Sequence, residues 1–313
     1  MTNYDLIIVG GGISGMTAAL SSLKKGINNI LLIERESTLG GLLNQFIHNG
    51  YGKKVSKNLL TGPEYVYYVE KRIKKYNIDI KLDTEVLNVS DNKEVTYVNQ
   101  KEGIQTVQAK AIILSTGCRE KFTGSITIPV DKYLGIYTVG SAQRLINIQG
   151  ILPGKNPVVV VNSKWAFEVA RRLLIEGSQI KGLIIEKRND IDLLKKYHEI
   201  IDEFDMPIIE NAEIKAVLGE DRVTGIRIKL NDDTEDVIKC DSLVLSVGYF
   251  PEIDVLEDPE IDESTKSIKV DSYKTIIDGI FACGNLIYGT KTLDIDEEID
   301  GTELGDIIFN YLK

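Results

Sequence analysis

The chain has 313 residues, enough for two domains of ordinary size that each bury a core of their own. A composition of 43% hydrophobic and 27% charged residues, with 27 glycines and no low-complexity tract, excludes a predominantly disordered protein. A formal charge of -10 argues against nucleic-acid binding, which needs a basic surface, and is compatible with small-molecule or protein partners.

No apolar run reaches the roughly 20 residues that span a bilayer. The amino terminus leads from Met-Thr-Asn-Tyr into a strand without a basic n-region or cleavage site, so the expected compartment is the cytoplasm. Asp5 to Val9 predicts a short buried strand, after which Gly10-Gly11-Gly12 opens a helix over about Ile13 to Lys25. Asn29 to Ile33 predicts a second buried strand ending in Glu34, which completes a right-handed βαβ unit. A helix is expected over about Pro63 to Tyr76, followed by short strands at Ile78 to Leu82, Val86 to Val89, Glu94 to Asn99 and Thr106 to Ala109. Ala111 to Leu114 then leads into Ser115-Thr116-Gly117, where the first domain pauses.

A second unit of the same design begins at Val158 to Val161, continues through a helix at about Lys164 to Glu176 and returns at Gly182 to Ile185, ending in Glu186. Helical spacing follows at Ile191 to Glu203, and strand patterns at Glu213 to Leu218, Gly225 to Lys229 and Val237 to Cys240. Ser242 to Val247 and Gly279 to Cys283 are further apolar strands, and a last helix is expected over about Thr302 to Leu312. The pattern predicts an α/β fold of two Rossmann-like dinucleotide-binding domains. The first is discontinuous, 1–118 with 243–313, and 119–242 forms the second.

Cofactor chemistry is carried by Gly10-x-Gly12-x-x-Gly15, placed between a strand and a helix as a dinucleotide fingerprint requires. Gly10 permits the tight turn, Gly12 removes a Cβ where a pyrophosphate approaches, and Gly15 lets helix and strand pack closely. The helix amino terminus then offers N–H groups and the positive end of its dipole to phosphates. Glu34 stands where a carboxylate accepts hydrogen bonds from a ribose diol. By itself the fingerprint does not distinguish FAD from NAD.

Four ordered motifs decide between them by resemblance: Gly10 to Gly15, Gly40-Gly41-Leu42-Leu43-Asn44-Gln45, Ser115 to Glu120, and Gly279-Ile280-Phe281-Ala282-Cys283-Gly284-Asn285. Together they resemble the pyridine nucleotide-disulfide oxidoreductase superfamily, with the plan and length of thioredoxin reductase. Asn44 to Gly52, Leu60 to Tyr65 and Ile136 to Arg144 resemble a narrower branch, the dithiol-lacking FAD-dependent oxidoreductases associated with glycerol-3-phosphate and amine or opine dehydrogenase subunits. The resemblance implies FAD as cofactor, with Gly10, Gly12, Ser14 and Gly15 at its pyrophosphate and Glu34 and Arg35 at its adenosine half. Gly41, Leu42 and Gln45 would line it further on, and Val86 would meet the adenine through backbone. Gly117 would close over it, Gly284 and Asn285 would meet the pyrophosphate and ribityl chain, and Leu293 would lie near the flavin. The family more often has aspartate at the place of Asn285. The acids Asp294, Asp296, Glu297, Glu298 and Asp300 read as a solvated loop.

Three departures bear on function. In the second unit the fingerprint is replaced by Val161-Asn162-Ser163-Lys164-Trp165-Ala166, where a β-branched residue and added Cβ atoms oppose ordinary NAD(P)H binding. Glu186-Lys187-Arg188 could serve a ribose or its 2′-phosphate, or be the polar end of any strand. Cys118, Cys240 and Cys283 form no CxxC and read as buried small hydrophobes, and with His48 and His198 they make no metal-type pattern. No catalytic residue is assigned, His48 being the one titratable candidate for proton transfer near the cofactor.

The leading expectation is an FAD-dependent oxidoreductase that exchanges electrons with a redox partner protein or companion dehydrogenase subunit, without bound NAD(P)H. An NAD(P)H-dependent reductase with an altered loop and a non-catalytic FAD-holding subunit or sensor are the alternatives, and a homodimer is compatible with the sequence.

Overall fold

The computed structural model describes residues 2–121, 128, 132–185, 191–289 and 301–313, apart from the side chains of 54–55 and 191–196. The chain divides into two units, Met1–Arg119 with Tyr249–Lys313 and Glu120–Gly248.

In the first unit the apolar runs expected to be fully buried form the centre of a seven-stranded sheet. Strand Asn3–Val9 pairs in parallel with Ile30–Ile33 on one side and with Gly103–Leu114 on the other. Leu6 and Ile8 enter one core with Met16, Leu20 and Val69, whereas Ile7 and Val9 enter another with Val86, Val95 and Ile112. Period-two alternation puts successive side chains on opposite faces, and both faces are covered, so every residue from Leu6 to Val9 is apolar. Each such side chain contributes about 1.5–3 kcal/mol by leaving water.

Thr106–Ala109 and Ala111–Leu114, expected as two strands, are one strand of twelve residues, Gly103–Leu114. Its first half pairs antiparallel with Glu94–Asn99 and its second half runs parallel to Asn3–Val9. Exposed Lys110 mimics a break because the strand passes there from a half-solvated meander into a sheet buried on both faces.

The carboxyl-terminal return is fixed by close packing. Helix Leu304–Leu312 lies on helix Ile13–Lys24, where a Cβ added to Gly301 would stand 2.3 Å from the Ser14 carbonyl oxygen and one added to Gly305 would stand 2.7 Å from the Ser21 carbonyl carbon. Gly301 N also donates to the buried Thr17 hydroxyl at 2.7 Å. Strand Ile280–Ala282 joins the same sheet beside Gly103–Leu114.

The second unit contains a five-stranded parallel sheet in the order Ile136–Thr138, Ser242–Leu245, Pro157–Val160, Gly182–Ile185, Ile208–Glu210. A three-stranded antiparallel sheet, Glu213–Gly219, Val223–Lys229 and Glu235–Lys239, completes it. The expected boundaries at 118/119 and 242/243 fall instead at 119/120 and 248/249. Ser242–Leu245 is buried between Ile136–Thr138 and Pro157–Val160, so the chain leaves the second unit only after it.

Helix Val139–Asn147 and its preceding strand carried no helix or strand expectation. The helix begins where Thr138 accepts from Ser141 N, and distant Glu120 accepts from the Thr138 hydroxyl and from Gly140 N, at 2.8 Å for the latter. Burial holds the Glu120 carboxyl above its ordinary range, against the opposing effect of these hydrogen bonds.

Candidate cofactor site

The strand register brings the site together. Val9 is level with Ile33 and Leu114, and Leu114 with Ala282, so Gly10, Glu34, Ser115 and Gly284 follow at one edge, the carboxyl ends of parallel strands. Open α/β sheets bind ligands at that edge.

The three fingerprint glycines do different work there. Gly10 has φ +102°, a backbone open to glycine, and a Cβ on it would stand 2.4 Å from the Ser115 carbonyl oxygen. A Cβ on Gly15 would stand 2.0 Å from the Gly10 carbonyl oxygen. Both positions are therefore consumed by packing of the turn against the helix. Gly12 alone faces open space, with no atom within 4 Å of its added Cβ. It is also the N-cap of helix Ile13–Lys24, which has no side-chain cap hydrogen bond and no acid in its first turn. The positive helix end thus carries no carboxylate of its own first turn.

Glu34, only 6% exposed, is held at this turn. Its Oε2 accepts from Gly11 N at 2.6 Å and its Oε1 from Glu36 N at 2.8 Å. Each carboxylate oxygen keeps capacity for a second donor. The second glycine pair lies directly on the first: Gly40 N donates to Gly11 O at 2.8 Å, and a Cβ on Gly41 would stand 3.2 Å from Gly12 Cα. Gly284, at φ +72°, closes the far side, where its added Cβ would meet Ser14 Oγ at 2.6 Å, and Asn285 follows it in a short 3-10 helix. Gly117 has φ +79° and, like Gly12, nothing within 4 Å of its added Cβ.

Other expected positions lie at greater remove. Val86 is buried in the core, two residues along the strand that starts where Thr84 N donates to Glu34 O at 3.0 Å. Arg35 and Leu42 are exposed, with Arg35 Nη1 3.8 Å from Glu252 Oε1. Gln45 ends the 3-10 helix Gly41–Gln45, and His48 follows it, its Nε2 2.9 Å from the Tyr51 hydroxyl. Leu293, the acids 294–300 and Glu186 to Arg188 lie outside the described residues.

Two contributors escaped the candidate set. Gly11 supplies the N–H that holds Glu34, and Ser115 Oγ donates to the carbonyls of Val9 and Gly10 at 3.0 and 2.9 Å. The signal for Ser115 was available in the repeat of Leu-Ser-x-Gly at Leu114 to Gly117 and Leu245 to Gly248.

A turn with one glycine open to space, a helix end with no acid in its first turn and a buried carboxylate beside it fits the pyrophosphate and ribose of a dinucleotide. The sequence profile of the family described as pyridine nucleotide-disulphide oxidoreductase matches residues 4–299. The chain belongs to that family. Members of that family are FAD-dependent oxidoreductases.

Among its relatives are an NADH dehydrogenase from Ferdinandcohnia aciditolerans and one of the subunits of an alkyl hydroperoxide reductase from Staphylococcus aureus. Each is 24% identical over 287 residues, 90% of this chain. The chain spans about half the length of these relatives, 52% and 54%. The fold is that of thioredoxin reductase from T. acidophilum, at TM-score 0.73 and 19% identity, covering 100% of this chain and 97% of that one. A bacillithiol disulfide reductase from Bacillus cereus matches at TM-score 0.76 and 17% identity over 99% of both chains. Among the described residues no helix is long and apolar enough to cross a membrane, and no group of His, Cys, Asp or Glu could hold a metal ion.

Proposed function

We propose that this oxidoreductase exchanges electrons between its flavin and a protein partner, such as a companion dehydrogenase subunit of the glycerol-3-phosphate or amine type, and does not bind NAD(P)H in the ordinary way. The observation that carries this reading is the contrast between the two nucleotide turns. In the first unit Gly10 adopts positive φ and Gly12 opens outward. In the second, no residue from Val161 to Ala166 has positive φ, Val161 and Ser163 are buried, and Ser163 Oγ lies 2.9 Å from Ser246 Oγ. The side chain that replaces a glycine is thus built into the interior of the turn. Beside it the Lys164 ammonium sits 4.7 Å from the Trp165 ring centroid.

Bound FAD would supply reversible electron exchange. Gly12, Ser14, Gly41 and Gly284 would surround its pyrophosphate, Glu34 would accept from its ribose, and Gly10, Gly15 and Ser115 would hold the turn that presents them. His48 is proposed to hold and move a proton on the flavin side.

A second reading, an NAD(P)H-dependent reductase, draws support from the relative named NADH dehydrogenase and from helix Lys164–Ile175, whose first turn still contains no acid. Anaerobic stopped-flow mixing with NADH and NADPH, followed at the flavin absorbance, separates the two. Slow or no bleaching is expected from either nucleotide, and rapid bleaching by one of them would replace the first reading with the second.

A further inference from the structure

Three rings follow helix Gly41–Gln45 in one short stretch. The Tyr51 hydroxyl lies 2.9 Å from His48 Nε2, with ring centroids 5.4 Å apart. Phe46 stacks on Tyr51 at 5.8 Å and an interplanar angle of 16°, and its centroid is 5.9 Å from that of His48.

The stretch is held from several sides. Gly62 N donates to Phe46 O at 2.8 Å, and Asn49–Tyr51 pairs with Leu60–Thr61. At Gly52, with φ +77°, an added Cβ would stand 3.0 Å from the Tyr65 ring. Gly41 meanwhile sits on Gly12, and a five-residue 3-10 helix is about 10 Å long. The His48–Tyr51 pair thus follows, along an anchored stretch, the helix whose first residue lies against the nucleotide turn.

We propose that Tyr51 is a positioning residue for His48, and that the pair relays a proton on the flavin side of the site. The inference rests on the reading of this site as the FAD cradle. A phenol is a stronger acid than a neutral imidazole N–H, so the favoured arrangement has the Tyr51 hydroxyl donating to Nε2. The proton of the neutral imidazole is then on Nδ1.

With FAD bound and an electron pair supplied by a reduced protein partner, Nδ1 would give up its proton to the cofactor side. Nε2 would take the Tyr51 hydroxyl proton, and the phenol oxygen would take one from a buffer acid in solvent. One proton enters, one is delivered, and the dyad stays neutral. Oxidation runs the same transfers backward.

The first test is spectroscopic and uses FAD-loaded protein with 15N-labelled histidine in mildly alkaline buffer. The chain has two histidines, so His198→Gln assigns both. His48 is expected as the Nδ1–H tautomer, and Tyr51→Phe is expected to abolish that preference. The second test reoxidises dithionite-reduced protein with dichloroindophenol, which takes protons with its electrons, and with ferricyanide, which takes electrons alone.

The ratio of the two rates should fall about tenfold in Tyr51→Phe and about a hundredfold in His48→Gln, with the double variant no lower than His48→Gln. An unchanged His48 nitrogen spectrum in Tyr51→Phe, an unchanged rate ratio in either variant, or fully additive losses would each overturn the proposal. A wild type that retains no flavin absorbance would overturn the cofactor reading beneath it, an outcome told apart because the tautomer of His48 is still read in that protein.

Discussion

Alanine at Gly12 and alanine at Gly15 should have opposite signatures, although the two glycines belong to one motif. At Gly15 the new Cβ would stand 2.0 Å from the Gly10 carbonyl oxygen and 2.6 Å from Ser115 Oγ, so backbone must move. Overpacking of that kind costs about 1–3 kcal/mol, and disturbance of the adjoining Ser115 hydrogen bonds adds about 1 kcal/mol. A loss of about 3 kcal/mol in a unit of this size lowers Tm by roughly 6–12 °C.

At Gly12, φ −65° and ψ 176° suit any residue, and nothing lies within 4 Å of the added Cβ. Alanine is a poorer N-cap by about 1 kcal/mol, which the smaller entropy of its unfolded chain offsets by about 0.4–1 kcal/mol. The apoprotein should therefore melt almost as wild type does. Its FAD affinity should suffer, because the methyl group stands where phosphate oxygens approach the helix end. Losing one charge-assisted hydrogen bond, about 1.5–3 kcal/mol, weakens binding by roughly 10- to 150-fold. Differential scanning fluorimetry of the apoproteins and fluorescence titration with FAD read the two effects separately. A Gly12→Ala protein that melts as low as Gly15→Ala while binding FAD normally would refute the division of roles.

The cysteines should not cycle through a disulfide. Burial, reinforced by the Asp241 charge, pushes the Cys240 thiol up to about 11, and Cys283 is fully buried, so iodoacetamide at neutral pH should label Cys118 alone until the protein is unfolded. Mass spectrometry showing native labelling at Cys240 or Cys283 would contradict this. Glu120 has a raised folded pKa, so the stability it provides is complete below the ordinary carboxylate range and is lost as pH rises through the folded value. Glu120→Gln should flatten that decline above the ordinary carboxylate range, and unchanged pH dependence of Tm would count against it. Replacing Val161, Ser163 and Ala166 by glycine and Trp165 by isoleucine should restore nicotinamide binding in part, at about 1 kcal/mol of stability per glycine. Calorimetric titration that finds micromolar NADH or NADPH binding by the wild type would show that the altered loop is no barrier, and no binding by a folded, FAD-loaded repaired variant would place the block elsewhere in the second unit.

Local patterns were enough to read the parallel core and a dinucleotide turn, while FAD itself came from the resemblance of four motifs spread along the chain. Leu6 to Val9 and Leu31 to Ile33 are apolar without interruption because strands buried on both faces need no alternation, and a glycine triad between strand and helix specifies its turn within six residues. What the sequence by itself left open depends on partners far along the chain. Gly15 is required by the Gly10 carbonyl that Ser115, 105 residues away, also holds, while Gly12 is required only by open space. Helix Val139–Asn147 starts where it does because Glu120, 20 residues earlier, reaches its first turn. Ser163 could be read as an obstruction at the second turn, but its bond to Ser246, 83 residues on, appears in no local spacing. Tertiary structure alone assigns such roles, because a hydroxyl, a carboxylate or a missing Cβ takes its energetic meaning from the atom it faces, and chain folding chooses that atom.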